Sequence, residues 1–230
     1  MNILDATILA FLLINLIMGL YNGFIVSVLN IIAYFGSWLL SFIFYPILSK
    51  ALIAKTSLLE TIMYFTDASS KITDFTQRKL AVGQLGEGKL ASIVEGANLP
   101  MPFDRAILAS AADNTAQGVE TLAEYFDYTV AKVLISIISF FIVFFIVRII
   151  FAAIIGAAKA VRDVPALKHL DSLAGAGLGI VRGFLLLYIL FSILPLLLTL
   201  APIDFISDMI DASKFASFFY KTNILIRFIR

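Results

Sequence analysis

The sequence predicts an all-α integral membrane protein with four transmembrane helices in two hairpins, an external helical insertion and a C-terminal amphipathic helix. Three observations carry that reading. Of 230 residues, 61% are hydrophobic and 14% charged, with a mean hydropathy of +1.00, which lies outside the range of soluble domains. From Ala6 to Ser49, 44 residues pass without a charge, whereas one helix needs only ~20 to cross about 30 Å of hydrocarbon. Two later apolar runs, 133–155 and 175–201, carry one charge each, Arg148 and Arg182.

Composition also excludes. With 17 Lys plus Arg against 16 Asp plus Glu the net charge is +1, so no basic excess argues for a nucleic-acid partner. A single His and no Cys speak against His- or Cys-ligated metals and thiol nucleophiles, and no cofactor is expected.

Residues 1–49 form the first hairpin. Its turn is expected at Gly19-Leu20-Tyr21-Asn22-Gly23, where Gly19 and Gly23 supply backbone freedom around a polar Asn, leaving spans at about 5–18 and 24–48. A cleaved signal peptide would need a basic start and a small-residue cleavage site. The only early side-chain charge is Asp5, so the segment is expected to be retained, with Asp5 capping the first span.

Residues 50–131 form the extracytoplasmic insertion. Ile72, Phe75, Lys79 and Leu80 suggest a short helix stopped by the Gly83–Gly88 segment, and another helix covers 89–95. Leu99-Pro100-Met101-Pro102 breaks that one, and Pro102 suits the first turn of a helix through Ala112. Asn114 or Thr115 is then expected to cap a helix with Leu122, Phe126 and Val130 on one face, continuous with the third span. The second hairpin occupies 132–202.

The segment from Lys50 to Lys132 holds 8 basic and 10 acidic residues, whereas Arg148 to Arg182 holds 5 basic and 2 acidic. The positive-inside rule puts the latter in the cytoplasm, and both termini and the insertion outside. The tail, 203–230, begins with Asp204, Asp208 and Asp211 opposite Phe205, Ile206, Met209 and Ile210. This is an amphipathic helix, suited either to the outer membrane interface or to packing on its own protein.

Gly175, Gly179 and Gly183 fall one above another on a helix with Asp171 at the head of the row, a seam on which a neighbouring helix can approach closely. Arg148 and Arg182 are either neutralised inside the bundle or, as expected here, snorkel toward cytoplasmic phosphates. Enzyme constellations are thin. His169, Asp171 and Ser172 share one short stretch without an oxyanion-hole signature, and Gly86-x-Gly88-Lys89 lacks phosphate-loop spacing. Glu120, Glu124 and Asp127 share a helix face that could hold a divalent cation, but a solvated acidic stripe is the commoner arrangement.

Val164-Pro165-Ala166-Leu167-Lys168-His169-Leu170-Asp171, followed by the glycine row to Arg182-Gly183, resembles the last membrane segment of the colicin V production (CvpA) family. Asp5 with its apolar run, Gly23-Phe24, and the tail from Ala212-Ser213 to Thr222-Asn223 are similar to that family's first hairpin and amphipathic C-terminus. The resemblance covers roughly 3–48 and 130–225. Around the first turn the family usually carries basic residues, and here Tyr21 to Ser27 has none. The resemblance implies a bacterial cytoplasmic-membrane protein associated with toxin production or export and envelope homeostasis, without established catalytic residues.

The expected role is therefore a non-enzymatic accessory or scaffold in contact with the bilayer and with a membrane or envelope protein partner. A homo-oligomer remains open. The rival is a small oligomeric channel or transporter built around the fourth helix. It would call for many intramembrane polar groups, and Asn15, Asn30, Ser27, Ser37 and Ser41 are the few in the first hairpin.

Overall fold

The computed structural model describes residues 2–100, 102–112, 119–160, 168–194, 197–198 and 204–223. Its elements are helices: α1 (Ile3–Lys55), α2 (Leu58–Thr66), α3 (Phe75–Arg78), α4 (Glu87–Ala97), α5 (Phe103–Ala112), α6 (Leu122–Ala160), α7 (Lys168–Ser192), α8 (Asp204–Ala212) and α9 (Lys214–Lys221). Among the described residues the one β feature is an isolated bridge between Ala81 and Thr121. Three segments, Ile3–Lys55, Leu122–Ala157 and Asp171–Ser192, are long and apolar enough to cross a membrane.

The expected count was four, and the difference lies in α1. Its 53 residues would extend about 80 Å if straight, far beyond a bilayer. The helix runs through the expected turn at Leu20-Tyr21-Asn22 and leaves helical geometry at Gly23 alone, with φ 74° and ψ 179°. Gly19 therefore does not turn the chain. Asn22 stays helical, its Nδ2 donating to the Met18 carbonyl at 2.8 Å. Gly23 divides α1 into a first arm, 3–22, and a second arm, 24–55.

The described chain forms two compact units. One comprises Met1–Tyr45, Phe140–Leu194 and Ile203–Leu225, and the other Pro46–Ser139, Pro195–Pro202 and Ile226–Arg230. In the first, the first arm lies antiparallel along α7, with Leu12 at Gly183 and Gly19 at Gly175 and Gly179. The second arm meets α6 through Asn30 and Tyr34 at Arg148 and through Tyr45 at Phe140.

The tail closes this unit. Ala216 and Phe219 on α9 are buried with Leu187 and Phe191 of α7 and Ile8 of the first arm, and the Phe219 ring touches Phe184, Tyr188 and Phe191. Of the two settings expected for the tail, its inner face takes packing on its own protein. Phe215 and Phe218 remain exposed on the other face. The Asp5 carboxylate, 4% exposed, accepts from Ser213 Oγ at 2.6 Å, the Phe215 N–H at 3.2 Å and the Asn2 N–H at 3.1 Å. Beyond serving its own helix start, it holds the start of α9.

In the second unit, the first turns of α6 form the core of the insertion: Leu122, Tyr125 and Phe126 are buried with Ile72, Phe103 and Ile107. Tyr125 donates its hydroxyl to the Ile107 carbonyl at 2.6 Å, and the Leu122 N–H bonds the Leu80 carbonyl at 2.8 Å. The expected helix over 72–80 shrinks to Phe75–Arg78, because Asp74 caps it through the Thr76 N–H at 2.8 Å while Ile72 is extended and buried before it. Gly88 is helical, inside α4, so the stop after α3 is shorter than the expected Gly83–Gly88 segment. The start of α6 carries a capping box: the Thr121 hydroxyl accepts from the Glu124 N–H and the Glu124 carboxylate accepts from the Thr121 N–H. Asn114 and Thr115, the expected caps, lie outside the described residues.

Candidate functional site

The glycine row of α7 faces the first arm at backbone distance. A Cβ on Gly179 would collide with the Asn15 carbonyl, one on Gly175 with the Gly19 carbonyl, and one on Gly19 would lie 2.9 Å from the Gly179 Cα. Gly183 has the side chains of Leu12 and Asn15 above it. Gly177, off the row, has open space. The close approach thus involves both helices, and Gly19 belongs to it as the glycine of the facing helix.

At the head of the row, Asp171 and Ser172 meet the break in α1. In an unbroken helix the Phe24 N–H would donate to the Leu20 carbonyl. The geometry at Gly23 separates that pair, and α7 supplies a new partner to each. Phe24 donates its N–H to Asp171 Oδ1 at 3.0 Å, and Ser172 Oγ donates to the Leu20 carbonyl at 2.8 Å. The carboxylate also sits at the N-terminus of the second arm, where the helix dipole favours negative charge. Gly23 is doubly constrained, since φ is positive and a Cβ would run into the Asp171 carboxylate.

The two arginines are both held by asparagines of α1. Arg148 Nη2 donates to Asn30 Oδ1 at 3.0 Å, and its guanidinium lies over the Tyr34 ring at 4.2 Å. Its Nε and Nη1 are buried without a hydrogen-bond partner. Arg148 is thus held where the second arm meets α6 by an amide and an aromatic face. Arg182 Nε donates to Asn15 Oδ1 at 3.1 Å, and Nη2 reaches Met18 Sδ at 3.3 Å.

Asp171 and Ser172 are engaged with the α1 backbone, and the side chain of His169 lies outside the described residues. Glu124 is taken up by its capping box, and Asp127 Oδ1 accepts from the Ser69 N–H at 2.8 Å. Glu120 and Glu124 are exposed as a solvated stripe would have them, whereas Asp127 is half-buried, and among the described residues no acidic or His cluster could hold a metal.

Sequence reasoning passed over Asn15 and Asn30 as arginine partners, Ser172 as half of the clasp, and Ser213 as the partner of Asp5. Register would have found the first pair. Once the first arm is laid antiparallel on the glycine row, Asn15 falls beside Arg182.

The sequence profile of the family described as "Colicin V production protein" matches residues 106–223. The match takes in most of α5, all of α6 and α7, and the tail to Asn223, so it includes Asp171, the glycine row and both arginines. The facing residues Asn15, Gly19 and Gly23 precede it. No curated protein and no solved structure matches the chain. On a match spanning just over half of its length, the chain belongs to the colicin V production protein family.

Proposed function

We propose that this protein is a non-enzymatic accessory or scaffold of the bacterial cytoplasmic membrane, acting with a membrane or envelope protein partner in toxin production or export. Gly23 divides α1 into two crossings, which with α6 and α7 makes four, and both termini and the insertion face outward. The first arm, at 20 residues, covers about 30 Å, enough for one crossing. Family membership supports the class of function. The observation that carries the scaffold role is that most of the polar side chains singled out on the apolar helices bond across to another helix, while the Ser37 and Ser139 hydroxyls and Arg148 Nε and Nη1 stay buried without a partner. Asp171, Ser172, Asn15, Asn30 and both arginines bond helix to helix, which fixes an architecture and offers little to replace an ion's hydration shell.

The test combines two measurements. Purified protein in liposomes is expected to move no ions, and mild-detergent extraction of native membranes is expected to recover a defined envelope partner whose recovery requires the insertion or the tail. A selective conductance from the pure protein, retained after deletion of 204–230, would establish the channel instead.

A further inference from the structure

On each arm of α1 an asparagine is fixed in the same way. Asn15 donates Nδ2 to the Phe11 carbonyl at 2.9 Å and Asn30 to the Val26 carbonyl at 2.8 Å, four residues back in each case. Each Oδ1 is thereby turned outward and accepts from one arginine. What completes the two contacts differs. Arg148 has the negative face of the Tyr34 ring as an electrostatic partner. In the corresponding place Arg182 has only the Met18 thioether, a weak neutral acceptor. No carboxylate of the described residues pairs with it.

A guanidinium keeps its charge throughout the physiological range, and Asn15 can orient that charge but not neutralise it. Arg182 also leans along the first arm toward the break: Nε stands at Asn15 and Nη2 at Met18. Met18 is five residues from Gly23, roughly 7.5 Å of helix, and the bond to its sulfur is exposed. The open edge of a preoriented cation therefore faces the Gly23 end of the first arm, which is a membrane surface if α1 crosses twice as proposed.

We infer that Arg182, oriented by Asn15, is a receptor for a phosphate oxyanion at that surface. The planar guanidinium fork matches phosphate oxygens in pairs, and the orientation is set before the anion arrives. A phospholipid headgroup and free inorganic phosphate present the same chemistry. The site rests on the proposed double crossing of α1 but not on the scaffold role, because a channel or a scaffold could carry it equally.

The test measures the melting temperature of the full-length protein in detergent against added phosphatidylglycerol, diacylglycerol with the same chains, and inorganic phosphate. Phosphatidylglycerol is expected to raise it by several degrees, and diacylglycerol is not. Arg182→Gln should lose that response. Arg148→Gln, although less stable at baseline, should keep it, as should Lys214→Gln, which removes an exposed cation elsewhere. A response to inorganic phosphate that Arg182→Gln abolishes assigns the same site to a soluble anion. If Arg182→Gln fails to accumulate, Asn15→Ala keeps the charge but frees its orientation, and should raise the half-saturating lipid concentration severalfold. An equal response to diacylglycerol, an undiminished response in Arg182→Gln, or an unchanged midpoint in Asn15→Ala would overturn the assignment.

Discussion

Glycines of one chain differ in what they do, and the difference is measurable residue by residue. Gly23 holds a positive φ beneath the Asp171 carboxylate. Gly23→Ala therefore adds about 1–3 kcal/mol, for a backbone region that essentially only glycine occupies, to a clash that must displace Asp171. Gly179→Leu should drive the first arm off α7 while the chain still inserts, with a melting temperature in detergent well below that of Leu185→Ala on the same helix. Gly177→Ala meets open space and should be neutral or stabilising by roughly 0.4–1 kcal/mol. If all three variants melt together, the glycine row carries no packing. Asp171→Ala and Ser172→Ala each strand one backbone group of the broken turn, at about 1–3 kcal/mol. A double-mutant cycle should give coupling between them, because both act on the same separated Phe24–Leu20 pair.

At the scale of elements, the tail depends on one bonded relay. Asp5 accepts from Ser213 Oγ, and that oxygen accepts from the Ala216 N–H at the first turn of α9. Ser213→Ala removes the helix cap, worth about 1 kcal/mol, and takes a partner from a buried carboxylate. The expected outcome is faster amide exchange across 213–223 with the exchange of α6 unchanged. Uniform acceleration through α6 would mean that the tail is not a separable element. The amphipathic pattern of the tail was legible because its period is local, and so were the helix after Pro102 and the continuity of Leu122, Phe126 and Val130 with the third apolar run. The relay was not legible, since Asp5 and Ser213 stand at opposite ends of the chain. The cap found at the start of α6 was not legible either: Thr121 is placed by its bridge to Ala81, 40 residues earlier in the chain. A break of the helix near Gly23 was legible from composition. That Gly19 packs instead of turning was not, because a glycine that bends a chain and one that admits a neighbour look alike until the neighbour is known.

For the whole molecule, the charge asymmetry and the break in α1 together make a topology that labelling can decide. The chain has no native Cys, so single-Cys variants report without background. If α1 crosses twice, the residues beside Gly23 share a side with the basic segment between α6 and α7, and the insertion lies on the other. Gly88→Cys should then react with an impermeant maleimide in intact cells. Lys159→Cys and Tyr21→Cys should react only after permeabilisation, and Tyr21 is 92% exposed, so its protection in intact cells would reflect the membrane and not packing. Positive-inside fixes the sign of this pattern through Arg148 to Arg182. The first turn contributes nothing to that sign, because it holds no Lys or Arg, so Tyr21 tests the double crossing without assuming the charge rule. Labelling of Tyr21→Cys on the same side as Gly88→Cys would reduce α1 to a single crossing and remove the four-helix reading. Reversal of all three sites would keep four crossings and invert the protein, placing the insertion, and any partner that recognises it, in the cytoplasm.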